Sequence, residues 1–348
     1  MAFNVSDVNV AEKSKEIKAF WKDHFTGWQE GKLDWFYLKN PQGKAKCWVI
    51  TNEENGQIIG TVVVFPRYFY YSGKEILTGI TGDFGVSKNY RILGPALKLQ
   101  KNTLELCPKE GYQFLYGFPN TKSEPVQRRA GYTVIGASRR LVKVLDSKEY
   151  IQRKTGSALL AALISPIVNL GLKITGRENR SGVPGSYIVQ TDLKFDAAFD
   201  TLWKKGREQF KLIGKRDSVF LNWRFGDCPF REYKLFAIRE KETDQPDGYI
   251  VYYTEGQTAF IADMFARDMA ASMDILLAGF LKYLRKSRLQ SVSVLYFGRT
   301  DILTKLKQFG FSEREDRRNL VAYAGETNPH KDDFLKEENW YFFEADND

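Results

Sequence analysis

The sequence is poor in the residues that build metal centres, disulfide frameworks and histidine-based catalytic sites. Its 348 residues include three cysteines and two histidines, His24 and His330. Three scattered cysteines suit neither a disulfide framework nor a zinc site, and two histidines argue against a histidine-rich metal centre. Neither histidine stands in a recognisable Ser-His-Asp setting. We therefore expect a functional site that contains no metal and does not depend on a catalytic histidine.

Several targeting and nucleotide-binding signals are also missing. The first 16 residues contain no apolar run of the kind that secretory signals have, so we expect a cytoplasmic protein. The sequence has no G-x-G-x-x-G fingerprint and no loop ending in Gly-Lys-Ser/Thr. Neither of these two nucleotide-binding sites is therefore expected.

Basic residues exceed acidic ones, and the excess is unevenly distributed. The chain carries a net charge of +9, but residues 325–348 hold eight acidic and two basic side chains. Residues 1–324 therefore carry +15. A body this basic favours an anionic partner such as a phosphorylated ligand, a nucleic acid or an acidic membrane.

Residues 155–172 form an uncharged, mostly apolar stretch. A membrane span needs about 20 predominantly apolar residues, and this stretch is interrupted by Ser157, Pro166 and Asn169. We expect a buried or interdomain helix here. Flanking basic residues leave a membrane-surface segment open, with a peripheral position at the inner membrane face.

The pattern of apolar residues predicts helices and strands in two similar series. The first series has helices at 11–28, 95–106 and 122–129, and strands at 46–51, 58–71, 75–86, 112–116 and 132–145. The second has helices at 195–212, 216–225, 269–287 and 300–309, and strands at 233–239, 248–254, 258–266, 291–296 and 320–324. Asp83 precedes Gly131 by 48 residues, and Asp263 precedes Gly310 by 47. The matched order and spacing indicate an internal duplication.

The most informative segment follows the strand that ends at Val86. A short loop brings in Arg91, and Gly94 and Ala96 then open a helix. Small residues allow a ligand to approach the backbone, and the helix N-terminus favours negative charge. Arg91 adds a fixed positive charge and several donors. These features are typical of a site that cradles a pyrophosphate.

The six residues from Arg91 to Ala96, R-I-L-G-P-A, resemble the [QR]-x-x-G-x-[GA] loop of the Gcn5-related N-acetyltransferase (GNAT) family. The order of elements around them is also similar. Segments 116–120 and 220–225 resemble GNAT proteins found with polysaccharide genes. The resemblance implies an α+β fold with two tandem GNAT-like domains, each a mixed, mostly antiparallel sheet flanked by helices. It divides the chain into an acyl-CoA-binding domain at 1–150, a linker at 151–190, a second domain at 191–325 and an acidic tail at 326–348.

The resemblance also implies a cofactor, acetyl-CoA or coenzyme A, and the residues that hold it. The backbone around Phe84 and Val86 would pair with the pantetheine arm. The pyrophosphate would be wrapped by Arg91, Leu93, Gly94 and Ala96, with Asn120 near the arm. The second copy lacks a glycine at the equivalent loop and has Asp268 there, so we expect it not to bind coenzyme A.

Two residues are candidates for proton transfer. Asp83 could act as the general base for the substrate ammonium, or it could be structural, since the repeat places Asp263 at the same position. Many family members have a tyrosine four residues before the Gly-Phe pair, where this chain has Gln127. Tyr116 is the candidate replacement for that acid.

The resemblance implies an acyl-CoA-dependent N-acyltransferase, with acetyl as the expected acyl group, that acts on an amine such as an amino sugar or sugar nucleotide. Trp223 and Arg224 either bind the sugar or form an interface corner. An aminoacyl-tRNA-dependent transferase of the Fem type remains an alternative, and it alone would require a nucleic-acid partner. A non-catalytic acyl-CoA-binding adaptor is the other alternative.

Overall fold

The computed structural model describes residues 3–25, 27–90, 93–180, 182–287 and 289–348. Within them, 14 strands form one sheet with helices packed against it. The predicted α+β class and the tandem arrangement are confirmed.

The first unit contains the strands and helices that the sequence predicted, with one further strand at its start and one further short helix, α3. Its strands are β1 (Phe3–Val8), β2 (Lys46–Asn52), β3 (Ile58–Tyr71), β4 (Lys74–Val86), β5 (Leu115–Gly117) and β6 (Thr133–Val144), and its helices are α1 (Ser14–His24), α2 (Leu93–Leu104), α3 (Leu106–Glu110) and α4 (Glu124–Ala130). Two helices follow, α5 (Lys148–Thr155) and α6 (Ala158–Thr175).

The second unit repeats this order with small changes. Its strands are β7 (Tyr187–Gln190), β8 (Leu212–Gly214), β9 (Lys234–Glu240), β10 (Pro246–Glu255), β11 (Thr258–Ala266), β12 (Ser291–Gly298), β13 (Ser312–Tyr323) and β14 (Trp340–Phe342), and its helices are α7 (Ala198–Gly206), α8 (Ser218–Leu221), α9 (Met269–Leu284), α10 (Thr300–Gln308) and α11 (Lys331–Phe334). Wide π-helical turns occupy Leu33–Leu38 in the first unit and Asn222–Gly226 in the second.

The two units exchange their last long strands. β13 of the second unit pairs with both β5 and β6, and β6 of the first unit pairs with β12. The order across the sheet is β1-β2-β3-β4-β5-β13-β6-β12-β11-β10-β9-β7. The predicted limits at residues 150 and 191 therefore separate two repeats but not two independent sheets.

The segment predicted as an acidic tail is part of the core instead. Trp340, Tyr341 and Phe343 are fully buried, and β14 pairs with β8 and β12. The physical reason is the apolar run W-Y-F-F at 340–343, whose burial outweighs the surrounding charges.

The apolar stretch after β6 also differs from its prediction. It forms α6, but only Ala161 and Ser165 of that helix are buried. α6 folds back on α5 as a helical hairpin instead of packing between the two units. The prediction of a buried or interdomain helix is therefore wrong.

Candidate active site

The site begins where two neighbouring parallel strands separate. β4 and β5 pair only at Gly79 with Leu115 and at Ile80 with Tyr116. At the point of divergence the Thr81 hydroxyl donates to the Tyr116 carbonyl at 3.1 Å. The second half of β4 and the chain after β5 then diverge, which leaves a gap in the sheet.

A cavity of about 480 Å³ opens at this gap. Phe84, Val86, Ala96 and Asn120, which were all predicted to bind the cofactor, line it together. The other lining residues are His24, Phe25, Gly85, Lys122, Ser123 and Val126. The structure thus brings four of the predicted residues to one cavity, and their role in cofactor binding stays a prediction.

The N-terminus of α2 is the end of the site where the sequence predicts phosphate binding. Gly94 is exposed in the first turn, and a Cβ built there would meet no atom within 4 Å. An open helix N-terminus with a small residue suits an anionic group. Arg91 and the side chain of Leu93 lie outside the described residues. The described part of the loop therefore fits the pyrophosphate end of an acyl-CoA.

Asp83 directly precedes Phe84, which lines the cavity, and its carboxylate bonds to Lys32 and Tyr37. It has a φ of +43°, a left-handed conformation that is costly outside glycine and concentrates at functional sites. Its carboxylate lies 3.0 Å from Lys32 Nζ and accepts a hydrogen bond from the Tyr37 hydroxyl. The carboxylate of Asp348 also lies 3.4 Å from Lys32 Nζ. Two carboxylates and one ammonium leave one net negative charge, which suits a protonated amine.

The protonation of this cluster follows from its surroundings. Burial disfavours the charged Lys32, but the attraction of Asp83 and Asp348 holds the pKa of Lys32 above its usual value. Burial and the neighbouring Asp83 raise the pKa of the Tyr37 hydroxyl. Lys32 is therefore a permanent cation and Tyr37 a neutral donor, and both orient the Asp83 carboxylate.

A second space, a cleft of about 780 Å³, borders the cluster. Lys32 and Asp348, which form the ion pair beside Asp83, belong to its lining. Residues from both units contribute, including Trp35, Phe230 and Tyr253. Asp83 is not among the described lining residues of either space, but it precedes Phe84 of the cavity and forms an ion pair with Lys32 of the cleft. We refer to the first space as the donor cavity, after the acyl donor that the resemblance predicts there, and to the second as the cleft.

The two predicted substrate-binding residues take part mainly in packing. Arg224 lines the cleft, but its guanidinium donates to the carbonyls of Glu344, Ala345 and Asn347 at 3.2–3.4 Å. It holds the segment that carries Asp348. We therefore assign Arg224 a positioning role, and contact with substrate stays a prediction.

Trp223 forms a symmetric contact between the two units. Trp35 Nε1 donates to the Trp223 carbonyl at 3.0 Å, and Trp223 Nε1 donates to the Trp35 carbonyl at 3.2 Å. Their rings stack with centroids 5.2 Å apart. Trp223 does not line the large cleft among the described residues, so this geometry matches the interface corner that was its alternative role.

Tyr116 is not placed to protonate a leaving group. Its side chain is fully buried, and its hydroxyl donates to the Asp346 carbonyl at 2.7 Å. Burial raises the pKa of Tyr116 well above its usual value. Neither the donor cavity nor the cleft has Tyr116 among its described lining residues. The prediction of a catalytic acid at Tyr116 is therefore corrected to a structural role.

The second unit fills the equivalent gap with its own chain. β11 and β12 pair from Thr258 with Ser291 to Ile261 with Val294, and β12 then pairs with β14. The hydroxyl of Tyr341 in β14 donates to the Met264 carbonyl of β11. β14 therefore occupies the space that the donor cavity has in the first unit.

Sequence reasoning missed several residues of the site. Lys32, Tyr37 and Asp348 surround Asp83, and His24 lines the donor cavity, where its Nε2 lies 2.8 Å from the Ser87 hydroxyl. One signal was available, because L-D-W-F-Y at 33–37 parallels L-N-W-R-F at 221–225. No group of three or more potential metal ligands occurs in the described part of the chain.

Comparison with known proteins relates the first unit to one protein family. Residues 9–135 match the model of the acetyltransferase (GNAT) domain. A search of the curated proteins gave no match.

Solved structures share the fold over nearly the whole chain. A GCN5-related N-acetyltransferase from Anabaena variabilis is 17% identical with a TM-score of 0.66, covering 93% of this chain and 73% of its own. N-myristoyltransferase of Saccharomyces cerevisiae with bound myristoyl-CoA is 11% identical with a TM-score of 0.55, covering 94% and 84%. A tandem GNAT protein from the clavulanic acid biosynthesis pathway is 15% identical with a TM-score of 0.52, covering 94% and 100%. The first unit therefore matches the GNAT domain, and the chain as a whole shares the fold of tandem GNAT proteins.

Proposed function

We propose that the protein is an acyl-CoA-dependent N-acyltransferase that transfers an acetyl group to an amine, with all of the chemistry at the first unit. The observation that carries the proposal is that Asp83 precedes Phe84 of the donor cavity and forms an ion pair with Lys32 of the cleft. Acyl-CoA, when bound, supplies the activated thioester. The backbone from Phe84 to Val86 and the N-terminus of α2 would hold it, with Ala96 and Asn120 at the sides.

The chain's own residues prepare the amine. The acceptor enters through the cleft, and the net negative charge of Lys32, Asp83 and Asp348 attracts its ammonium form. Asp83 takes the proton, and the neutral amine then attacks the thioester carbon. A C–N bond forms and the C–S bond breaks. The nitrogen then loses a second proton, which neutralises the leaving thiolate, and Asp83 releases the first proton to solvent.

We further propose an amino sugar or sugar nucleotide as the acceptor to test first. The lining of the cleft includes Arg318, which is exposed and forms no ion pair with a described residue. An arginine of this kind suits the phosphate of a sugar nucleotide. This acceptor class was implied by resemblance, and the composition of the cleft supports it.

A matched pair of substitutions at Gly94 tests the donor site. Coenzyme A should raise the melting temperature of the native protein, because a ligand that binds only the folded state stabilises it. Gly94→Ala should keep this shift, since a Cβ at Gly94 meets no atom within 4 Å. Gly94→Glu should abolish it, because a carboxylate would occupy the helix N-terminus. An equal shift in both variants would place the donor site elsewhere.

Activity should then be measured as thiol release from acetyl-CoA with a panel of amines. Release that depends on an amino sugar supports the full proposal. Release with other amines but with no amino sugar would contradict only the acceptor class. Coenzyme A binding without thiol release for any amine would favour the non-catalytic adaptor.

A further inference from the structure

The most unusual surface of the molecule is the α5–α6 hairpin at residues 148–175. α6 is the one helix in the described part of the chain that is long and apolar enough to cross a membrane by length and composition. One stripe of its side chains points to solvent, each at least 57% exposed: Leu159, Leu163, Ile167, Leu170 and Ile174. Soluble monomers rarely expose a continuous apolar surface of this kind unless something covers it.

The charges around the stripe are almost all positive. Lys148, Lys154, Lys173 and Arg180 are exposed and form no ion pair with a described residue. Two acidic residues lie between positions 147 and 180: Glu149, near Arg153, and Glu178, which is buried. An apolar face flanked by unpaired cations complements an anionic lipid surface, where each nearby cation adds about 1 kcal/mol of attraction.

Both ends of the hairpin are fixed to the same body. The guanidinium of Arg285 donates to the Leu145 carbonyl before the hairpin at 3.2 Å and to the Glu178 carboxylate after it at 2.8 Å. At the base, the backbone N–H of Ser147 donates to the Asn169 side chain at 2.7 Å. The hairpin is therefore a built projection and not a loose loop.

This anchoring determines how the hairpin can meet a bilayer. The eight residues of α5 extend about 12 Å at 1.5 Å per residue, whereas the hydrocarbon core is about 30 Å thick. With both ends held on one side, the hairpin is too short to cross and return. It can lie in the headgroup region with the Leu163 stripe facing the acyl chains.

The direction of the strands relates this surface to the donor cavity. β5 and β6 both run antiparallel to β13, and β4 runs parallel to β5, so all three run in the same direction. The cavity opens at the C-terminal ends of β4 and β5, and the hairpin follows the C-terminal end of β6. The cavity and the hairpin therefore both lie at the side of the sheet where β4, β5 and β6 end.

From these observations we propose that the α5–α6 hairpin docks this protein onto an anionic membrane surface. The partner is the bilayer itself, recognised by the apolar stripe of α6 and the surrounding cations. The proposal is independent of the acyl acceptor, because none of these residues belongs to the donor cavity or the cleft.

Co-sedimentation with vesicles tests the proposal. The full chain should sediment with vesicles of phosphatidylglycerol and phosphatidylcholine in equal parts, much less with phosphatidylcholine alone, and less at high salt. The double variant L163E/I167E should lose at least about tenfold in partitioning, because it places two charges on the stripe. Lys148→Gln with Lys173→Gln should lower partitioning to the anionic vesicles by about thirtyfold.

Val219→Glu is the matched control, because Val219 is 60% exposed but lies outside the hairpin. It should sediment like the native chain, and thermal unfolding followed by circular dichroism should confirm that every variant folds. Equal sedimentation of L163E/I167E and the native chain would overturn the proposal. So would a native chain that ignores anionic vesicles and forms a dimer that L163E/I167E dissociates, because a second copy would then cover the stripe.

Discussion

The two units place an aspartate at the same position of the same strand and surround it differently. Asp83 bonds to Lys32 and Tyr37 beside a cavity, and its side chain is 16% exposed. Asp263 is fully buried, where Arg216 Nη2 donates at 3.0 Å and the Tyr249 hydroxyl at 2.8 Å. Both carboxylates form ion pairs, but the Asp83 side chain is partly exposed and the Asp263 side chain is completely enclosed.

The gap next to each aspartate differs in the same way. In the first unit it is open as the donor cavity, and in the second it is filled by β14 and the residues that follow. Asp346 of that segment bonds to Arg216 at 2.6 Å and to Arg67 of the first unit at 2.7 Å. The same gap is thus an open cavity in the first unit, whereas in the second unit it holds a segment that joins the two halves.

The comparison predicts the largest effect at Asp83. Asp83→Asn should lower kcat for amine acetylation by about 10²–10⁴-fold, because the proton acceptor is lost. The change should leave the melting temperature and the coenzyme A affinity close to native, since the site is partly exposed. Steady-state kinetics and calorimetry on the same preparation measure both. A variant that keeps native kcat would show that Asp83 has a structural role and is not the general base.

The equivalent change in the second unit should affect stability instead. Asp263→Asn leaves Arg216 with a weakened buried partnership, and breaking a buried ion pair costs about 3–5 kcal/mol. Chemical denaturation should show this loss in the free energy of unfolding, while kcat of the folded fraction stays near native. A large drop in kcat with unchanged stability would reverse the roles that we assign to the two aspartates.

A smaller effect is expected at the arginines of the two loops. Arg91→Ala should weaken coenzyme A binding by about 1–3 kcal/mol, the range for losing a charge-assisted hydrogen bond. Arg267→Ala should leave that affinity nearly unchanged, because Arg267 is already paired with Glu240 at 2.9 Å and Asp247 at 2.7 Å. Isothermal titration calorimetry compares the two. A greater loss at Arg267 would mean that the second loop binds the cofactor.

The smallest effect concerns the ion pair at the mouth of the cleft. A Cβ at Gly82 would lie 2.4 Å from the Asp348 carboxylate, so Gly82→Ala should push Asp348 away from Lys32. A partly exposed ion pair contributes about 0.5–1 kcal/mol. We expect KM for the amine to rise by a few fold while coenzyme A binding is retained. An unchanged KM would show that Asp348 does not attract the acceptor.

Much of the fold could be predicted because local patterns determine its elements. The turn at Ser72 and Gly73, both with positive φ, and the two long strands around it were evident from the sequence. The cavity residues Phe84, Val86 and Ala96 were identified because they surround one motif. Asn120 followed from the strand order that the family shares.

The remaining features depend on contacts between distant parts of the chain. Lys32, which pairs with Asp83, lies 51 residues before it, and Asp348, which pairs with Lys32, lies 265 residues after Asp83. No local sequence pattern predicts contacts over such distances. The exchange of β6 and β13 could not be predicted from the pattern of apolar residues either. A strand shows the same alternation of side chains between its two faces whichever strand it pairs with. For α6, an apolar composition on most sides is equally compatible with burial and with a membrane surface.

Calorimetric titration of the full chain with coenzyme A tests the division of labour between the two units most directly. With the first gap open and the second filled by β14, the titration should give one site per chain, lost in Gly94→Glu and retained in Ala270→Glu at the equivalent helix start of the second unit. Two equivalent sites, or one site that Ala270→Glu removes and Gly94→Glu does not, would contradict the assignment of the donor site to the first unit.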